Sequence, residues 1–439
     1  MANATTGILT KLKADIPQNG VTILAATVVG LFAGLATAAL RFGLSWFSGF
    51  LSRELDSFSY NLRLLLLPVT GIFLATLYQY IIRENLEHGT EQLKQRLASH
   101  SYFFKKSHVL SPIIGCFLTL GFGGSAGGEG PSAFSGAAIG NRVSRFFKLT
   151  PEATRILFGC GAAAGIAGIF KSPIGGMLFA IEVLRMEMSV IGLVAVVSAV
   201  LSSFAVVYIL TGFTWNVSII SMQVFCPDQL GWIALLGVVG GLYSIYYSKT
   251  LDFAGRLFTR IGNRWVRCFS SGITLSLIIF LFPSMYGDGY NIVGSLINGY
   301  NDSLMLYSPL FDDSHRLVIT VICGIAVLLL KGVAVGATNY GGGVAGIFAP
   351  AIFAGSLLGY LFGLGVNTWF DPSVSPESFA LIGTAVILSG AVKAPMLAIF
   401  LAAEVSDRYG FILGFIAVSA VSYIVAWACR QASSSKRSQ

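Results

Sequence analysis

Three carboxylates lie at or within apolar runs of the sequence, and they are the first candidates for chemistry: Glu129, Glu182 and Glu404. A carboxylate in an apolar run is costly, so it indicates function by default. Glu182 and Glu404 each have an arginine within the next four residues, which favours structural roles at helix ends. Glu129 stands alone among glycines. Its carboxylate could occupy the position of an anion and leave that position when it is protonated.

Two glycine-rich stretches end in a proline, Gly127–Pro131 and Gly346–Pro350. Proline is favoured in the first turn of a helix. A helix N-terminus offers free backbone N–H groups and the positive end of the helix dipole, so it attracts anions. Two such termini that face one cavity would hold an anion. Glycine-rich turns also make ordinary helix N-termini, so this pattern favours anion transport only modestly over other transport.

The two stretches belong to an internal duplication. An offset of 219 relates Pro131 to Pro350 and places Phe348 opposite Glu129, and a second block matches at an offset of 222. The residues of that block are Gly161, Ala163, Gly168, Lys171, Pro173, Glu182 and Val183, matched by Gly383, Ala385, Gly390, Lys393, Pro395, Glu404 and Val405. We therefore expect two repeats, residues 21–225 and 226–430, between an N-terminal segment 1–20 and a short polar tail 431–439. Transport proteins often place their substrate site where such repeats meet.

The amino-acid composition is typical of an integral membrane protein. Of 439 residues, 55% are hydrophobic and 11% charged, against about 25% charged in a soluble domain. The mean hydropathy is +0.76. These values exclude a soluble enzyme, a disordered scaffold and a disulfide-stapled secreted domain. Several apolar runs are too short to cross a bilayer, which predicts broken helices around a polar path. Two others, Met188–Cys226 and Gly332–Phe370, have room for more than one pass.

A different chemistry is possible at Gly123–Gly127, which satisfies the G-x-S-x-G pattern of serine hydrolases around Ser125. That pattern needs a strand, a turn, a helix and a histidine partner. The chain has four histidines, three of them in polar segments before the motif. Nucleotide-binding and zinc-protease signatures are absent from the sequence, and the six cysteines are scattered. We expect no enzyme activity, no cofactor and no metal site.

The chain resembles the CLC family of chloride channels and proton/chloride antiporters. Four motifs carry the resemblance in family order: Gly127–Pro131, Gly161–Glu182, Gly346–Pro350 and Ala394–Glu404. The resemblance implies an all-α integral membrane protein with a CLC-like fold. That fold has two inverted helical repeats with broken membrane helices, and it forms a homodimer with one anion pathway in each subunit.

The resemblance also implies roles for individual residues. Glu129 falls at the gating glutamate, which is linked to protons, and the backbone N–H groups of Ile347 and Phe348 fall at the central anion site. Gly130, Gly89 and His88 are further positions implied in anion binding. The helix termini along the anion pathway are at Gly127, Gly128, Pro131, Gly346 and Pro350.

Four departures from the family pattern qualify the resemblance. His88 takes the place of the selectivity serine in an ungapped match; its ring could bind an anion, or it could face solvent. Gly128 replaces the basic residue before the gating glutamate. Val183 stands where antiporters carry a carboxylate for the inner proton. For the tail after Arg430 we expect no last helix, no tyrosine that reaches the anion site and no regulatory domain.

Val183 leads us to expect passive, channel-like anion conduction gated by Glu129, with chloride as the favoured ion. The alternative is a proton-coupled antiporter of chloride or of another anion such as fluoride or nitrate. An intramembrane serine hydrolase is the remote alternative. The expected partners are an inorganic anion, the lipid bilayer and a second copy of the chain, with no nucleic acid or nucleotide. The basic residues, in excess by eight, are expected in cytoplasmic loops. We expect a multi-pass protein of the bacterial inner membrane with cytoplasmic termini.

Overall fold

The structure is a computed structural model. It describes residues 18–54, 60–86, 89–99, 101–186, 189–212, 217, 219, 225–300, 304, 308 and 316–435. Throughout these residues the regular structure is helical, and one isolated antiparallel bridge joins Gly127 to Gly346. The predicted N-terminal segment 1–20 lies outside them except for its last three residues.

Seventeen α-helices are described in the ranges above. They are α1 (Gln18–Glu54), α2 (Tyr60–Ile82), α3 (Gly89–Ala98), α4 (Ser111–Gly121), α5 (Glu129–Phe146), α6 (Pro151–Phe170), α7 (Pro173–Leu178), α8 (Val190–Leu210), α9 (Leu230–Thr259), α10 (Arg264–Leu281), α11 (Tyr290–Ile297), α12 (Arg316–Tyr340), α13 (Phe348–Trp369), α14 (Pro376–Gly383), α15 (Val386–Val392), α16 (Pro395–Ser406) and α17 (Ile412–Ser435). A π-helical turn, Phe179–Val183, continues α7.

Long and short apolar helices alternate along the chain. Among the described residues, nine helical segments are long and apolar enough to cross a membrane, while four apolar segments are shorter. The short ones include Ser111–Gly121 and Pro395–Ser406. This arrangement agrees with the broken helices that the short apolar runs predict. The run Gly332–Phe370 contains the end of α12 and most of α13, and for Met188–Cys226 the described residues contain one helix, α8.

The described chain separates into two compact units. Unit 1 contains residues 1–39, 90–113 and 132–213, and unit 2 contains residues 40–89, 114–131 and 214–439. The core of unit 1 consists largely of alanine and valine from α1, α6 and α8. Small side chains allow helix backbones to approach closely, which is the usual basis of helix packing in membranes.

Equivalent close contacts occur within each unit. In unit 1, a Cβ atom at Gly136 would lie 2.0 Å from the carbonyl oxygen of Gly161. In unit 2, a Cβ at Gly355 would lie 2.2 Å from the carbonyl oxygen of Gly383. Both pairs follow the offsets found in the sequence. Glycine is therefore required at Gly136 and Gly355 by the contact itself.

Each unit also contains an equivalent hydrogen bond from a serine side chain to a backbone carbonyl oxygen. Ser203 Oγ donates to the carbonyl oxygen of Ala164 at 2.7 Å in unit 1. Ser422 Oγ donates to that of Val386, also at 2.7 Å, in unit 2. The duplication is thus present in tertiary contacts as well as in sequence.

The helix breaks at the two lysines also share one geometry. Lys171 ends α6 in the left-handed region, with φ 53° and ψ 43°, and α7 begins at Pro173. Lys393 ends α15 with φ 64° and ψ 38°, and α16 begins at Pro395. Proline cannot continue the preceding helix but suits the first turn of the next one, so the chain stops and restarts there.

Candidate anion and proton site

The site is built where the two glycine-rich stretches meet within unit 2. Gly127 N–H donates to the carbonyl oxygen of Gly346 at 3.1 Å, and Gly346 N–H donates to that of Gly127 at 2.6 Å. The pair fixes the two stretches side by side. Each stretch then leads into a helix, α5 at Glu129 and α13 at Phe348. The prolines of the stretches, Pro131 and Pro350, are the third residues of these helices.

Threonine hydroxyl groups accept hydrogen bonds from the backbone just before each stretch. Thr119 Oγ1 accepts the N–H of Val344 at 2.9 Å, and Thr338 Oγ1 accepts the N–H of Ser125 at 3.1 Å. Glycine is required at Gly123, because φ is +92° and a Cβ atom would lie 2.1 Å from the ring of Tyr286. These contacts allow little movement of the backbone from which Glu129 extends.

The Glu129 side chain lies across the meeting point of the two helices. Its Oε1 atom accepts the backbone N–H of Phe348, the first residue of α13. Its Oε2 atom is buried and accepts no hydrogen bond from the described residues. A Cβ atom at Gly127 would lie 2.0 Å from Oε2, and one at Gly346 would lie 2.2 Å from Oε1. The two glycines therefore make the space that the carboxylate fills.

This arrangement places the Glu129 carboxyl group at a helix N-terminus, where an anion would bind. The free N–H groups and the dipole of α13 stabilise either the carboxylate or another anion in that place. Ile347 is the N-cap of α13, and its side chain is partly exposed, while Phe348 is buried. Gly128 and Gly130, on either side of Glu129, are also buried. With glycine at 128, no side chain supplies a positive charge at that position.

Three predicted positions lie elsewhere. His88 lies outside the described residues, so its expected role stays a prediction, and Gly89 is the buried first residue of α3. Val183 belongs to unit 1 and ends the π-helical turn after α7, with 5% of its surface exposed. The helix α17 continues through Ser435, so the first five residues of the expected tail 431–439 are helical, and the bounds of the tail stay a prediction.

The serine of the hydrolase pattern is inaccessible. Ser125 is completely buried, and Lys331 Nζ donates a hydrogen bond to its Oγ at 3.0 Å. No strand precedes Ser125 in the described part of the chain, as the hydrolase pattern would require. The described residues contain no group of three or more His, Cys, Asp or Glu side chains placed to hold a metal ion.

Sequence reasoning missed Lys331, which is completely buried on α12. A lysine near the middle of an apolar run was the available signal, since intramembrane ionisable residues are functional candidates.

Comparison with known proteins decides the family. A profile described as Voltage gated chloride channel matches residues 70–427. The chain belongs to this family. It is 30% identical over 319 residues to the H(+)/Cl(−) exchange transporter ClcA of Vibrio cholerae serotype O1 (strain ATCC 39541), a match that covers 70% of this chain and 64% of that protein. It is 28% identical over 421 residues to the ClcA of Cronobacter sakazakii, covering 90% and 84% of the two chains.

Solved structures show the same fold. A slow cyanobacterial Cl−/H+ antiporter superposes with a TM-score of 0.78 at 24% identity, covering 94% of this chain and 95% of that one. A CLC-type fluoride/proton antiporter superposes with a TM-score of 0.74 at 22% identity, covering 92% and 95%. The expected all-α, CLC-like membrane fold is confirmed. The chain is an integral multi-pass membrane protein.

Proposed function

We propose that this CLC-family protein exchanges chloride for protons, with Glu129 as both the gate and the proton carrier. The hydrogen bond from the Phe348 N–H to the Glu129 carboxylate is the observation that carries the proposal. A chloride ion needs the same N–H group. The anion and the charged carboxylate therefore exclude each other, and protonation of Glu129 releases the site.

This proposal replaces the passive conduction that Val183 favoured. The named relatives are H(+)/Cl(−) exchange transporters, and the superposed structures are antiporters by their descriptions. Both support exchange over passive flow. Since Val183 carries no carboxylate, protons must reach Glu129 by another route, such as water or other side chains.

The proposal extends to the oligomeric state, the membrane and the groups that contact the anion. We propose a homodimer with one pathway in each subunit, in a bacterial inner membrane with cytoplasmic termini. No cofactor enters the proposal. The backbone N–H groups of Ile347 and Phe348 and the helix ends at Gly127 and Gly346 would contact the anion.

Proton movement in liposomes tests exchange directly. Purified protein is reconstituted with a chloride gradient, and valinomycin with potassium holds the membrane voltage at zero. We expect protons to move uphill, driven by chloride, at a fixed ratio of the two ions. Glu129→Gln is the matched control and should carry chloride without protons. Chloride flux without proton movement in the unaltered protein would restore the passive reading. If chloride does not move, a fluoride or nitrate gradient is the next arm.

A further inference from the structure

A cavity of about 540 Å³ lies between the end of α2 and the start of α10, both in unit 2. Its lining includes two arginines, Arg83 and Arg264, together with Gln79, Tyr80, Ile81 and Glu84. The segments Arg63–Ile82 and Arg264–Leu281 are each long and apolar enough to cross a membrane. The cavity is found where these apolar segments end and polar residues begin. It therefore lies at the level of the lipid headgroups.

Hydrogen bonds fix the wall of the cavity that α2 provides. The buried side chain of Gln79 donates through Nε2 to the carbonyl oxygen of Gly342 at 2.7 Å, and its Oε1 accepts the N–H of Leu86 at 3.1 Å. Arg83 ends the helix in the left-handed region, with φ 54°, and its N–H donates to the carbonyl oxygen of Tyr80 at 3.3 Å. The position of Arg83 is thus set by a rigid turn.

The wall that α10 provides carries positive charge. The helix begins Arg-Trp-Val-Arg, so its first turn contains no carboxylate. Basic side chains oppose the dipole at a helix N-terminus, so the stability of α10 does not explain them. Among the described residues that line the cavity, Glu84 is the one carboxylate, against the two arginines. The planar guanidinium group of arginine matches a phosphate group in shape and charge.

An exposed strip of aromatic rings leads away from the cavity along α2 and α10. We call it the aromatic strip; its neighbouring ring centroids are 5.7–5.8 Å apart, and its members are Tyr80, Trp265, Phe73 and Phe269. Tyr80 is 59% exposed, and Phe269 is 45% exposed. Ile273 and Leu277, both exposed, follow Phe269 at intervals of four residues and so continue along the same face of α10. This apolar face of two membrane helices is open to lipid.

We propose that the cavity binds the phosphate group of an anionic phospholipid, with Arg83 and Arg264 as hydrogen-bond donors and the acyl chains along the aromatic strip. The polar cavity and the apolar strip meet at Tyr80, so the surface fits a ligand with a charged head and an apolar chain. Free phosphate would use the arginines alone. The excess of arginine over carboxylate favours phosphatidylglycerol over zwitterionic phosphatidylcholine. The inference does not depend on the proposed exchange of chloride for protons.

The first measurement is the binding of phosphatidylglycerol to the purified full-length protein in detergent, by native mass spectrometry. Arg83→Gln and Arg264→Gln should each weaken binding by about fivefold, and the double variant by about 25-fold. Lysine at both positions should keep part of the affinity, because it keeps the charge and loses the planar fork. The matched control is the double variant Arg145→Gln, Arg256→Gln, which removes two exposed arginines outside the cavity lining. It should change binding by less than about twofold.

The second measurement distinguishes a lipid from free phosphate. Trp265→Ala interrupts the aromatic strip and should weaken binding of phosphatidylglycerol by about fivefold. Trp369→Ala, which removes a ring of α13 that is 77% exposed, is its control and should have no effect. Inorganic phosphate at equal concentration should not displace the lipid, and phosphatidylcholine should bind about tenfold more weakly.

Three results would overturn the proposal: unchanged binding in the double arginine variant, equal binding of the two lipids, or displacement of phosphatidylglycerol by equimolar inorganic phosphate. The last result would assign the cavity to free phosphate. If the double variant does not fold, Arg264→Gln, which replaces an exposed side chain, decides alone.

Discussion

The backbone N–H of Phe348 donates a hydrogen bond to Oε1 of Glu129, and the two residues are 219 positions apart. The same offset relates the two repeats in this region of the sequence. Repeat-equivalent positions, each the first residue of a helix, are therefore bonded to each other. One repeat supplies a carboxylate and the other supplies the donor, so the two repeats differ in residue type at the position where they are bonded to each other.

Glu129→Gln should preserve anion flux and flatten its dependence on pH. In the unaltered protein, flux should rise as pH falls, because a protonated carboxyl no longer competes for the Phe348 N–H. Glutamine is neutral at every pH and keeps the size of the side chain. Chloride efflux from liposomes between about pH 4 and pH 8 measures the effect. A pH profile identical to that of the unaltered protein would remove Glu129 as the gate.

Gly127→Ala should expel the Glu129 carboxylate from its place. The new Cβ atom would lie 2.0 Å from Oε2. Overpacking of this kind destabilises a structure by about 1–3 kcal/mol. The carboxylate-bound state loses that stability, so half-maximal flux should move to higher pH by about one unit.

The control for this variant is Gly231→Ala on α9, where a Cβ atom would meet open space. Its pH profile should stay unchanged. In a Glu129→Ala background the contact with Oε2 is gone, so Gly127→Ala should no longer shift the pH profile, although its Cβ atom would still lie 2.8 Å from the Cβ atom of Ala349. A pH shift in that background would show that the substitution acts through Ala349 or the backbone and not through the carboxylate.

His88→Ser should alter the ranking among chloride, nitrate and fluoride, if the ungapped match to the family's selectivity serine is correct. The imidazole can donate a hydrogen bond and change its charge near neutral pH, while serine does only the former. Flux of each anion at pH 6 and pH 8 (about one unit or more on either side of the histidine pKa) measures both effects. An unaltered ranking at both values would place the histidine away from the anion.

Gly136→Ala and Gly355→Ala should each destabilise the protein by about 1–3 kcal/mol. Each Cβ atom would meet a backbone carbonyl oxygen, at 2.0 Å and 2.2 Å respectively. Backbone cannot move aside as a flexible side chain can. Thermal unfolding in detergent should show similar losses for the two variants, and Gly231→Ala should show none. A loss in one variant alone would contradict their equivalence.

Much of the site was predictable because its signals are local in sequence. Glycines before a proline indicate the two helix starts, and a lone carboxylate among the glycines of the first stretch indicates the candidate gate. The passive reading came from a single position, Val183, and comparison with named exchangers supports the alternative. One side chain cannot decide between channel and exchanger, since protons can reach the gate by routes that leave no motif.

The sequence by itself determined the membrane class, the duplication, the broken helices and the choice of Glu129 as the candidate gate, because each depends on composition or on short spacing. Only the tertiary structure decided which atoms Glu129 contacts and that Lys331 donates to Ser125, 206 residues earlier. It also decided that Gly289, just before α11, packs against the Phe353 ring of α13. These contacts join segments far apart in the chain, and their energies depend on burial and distance, which no residue spacing records.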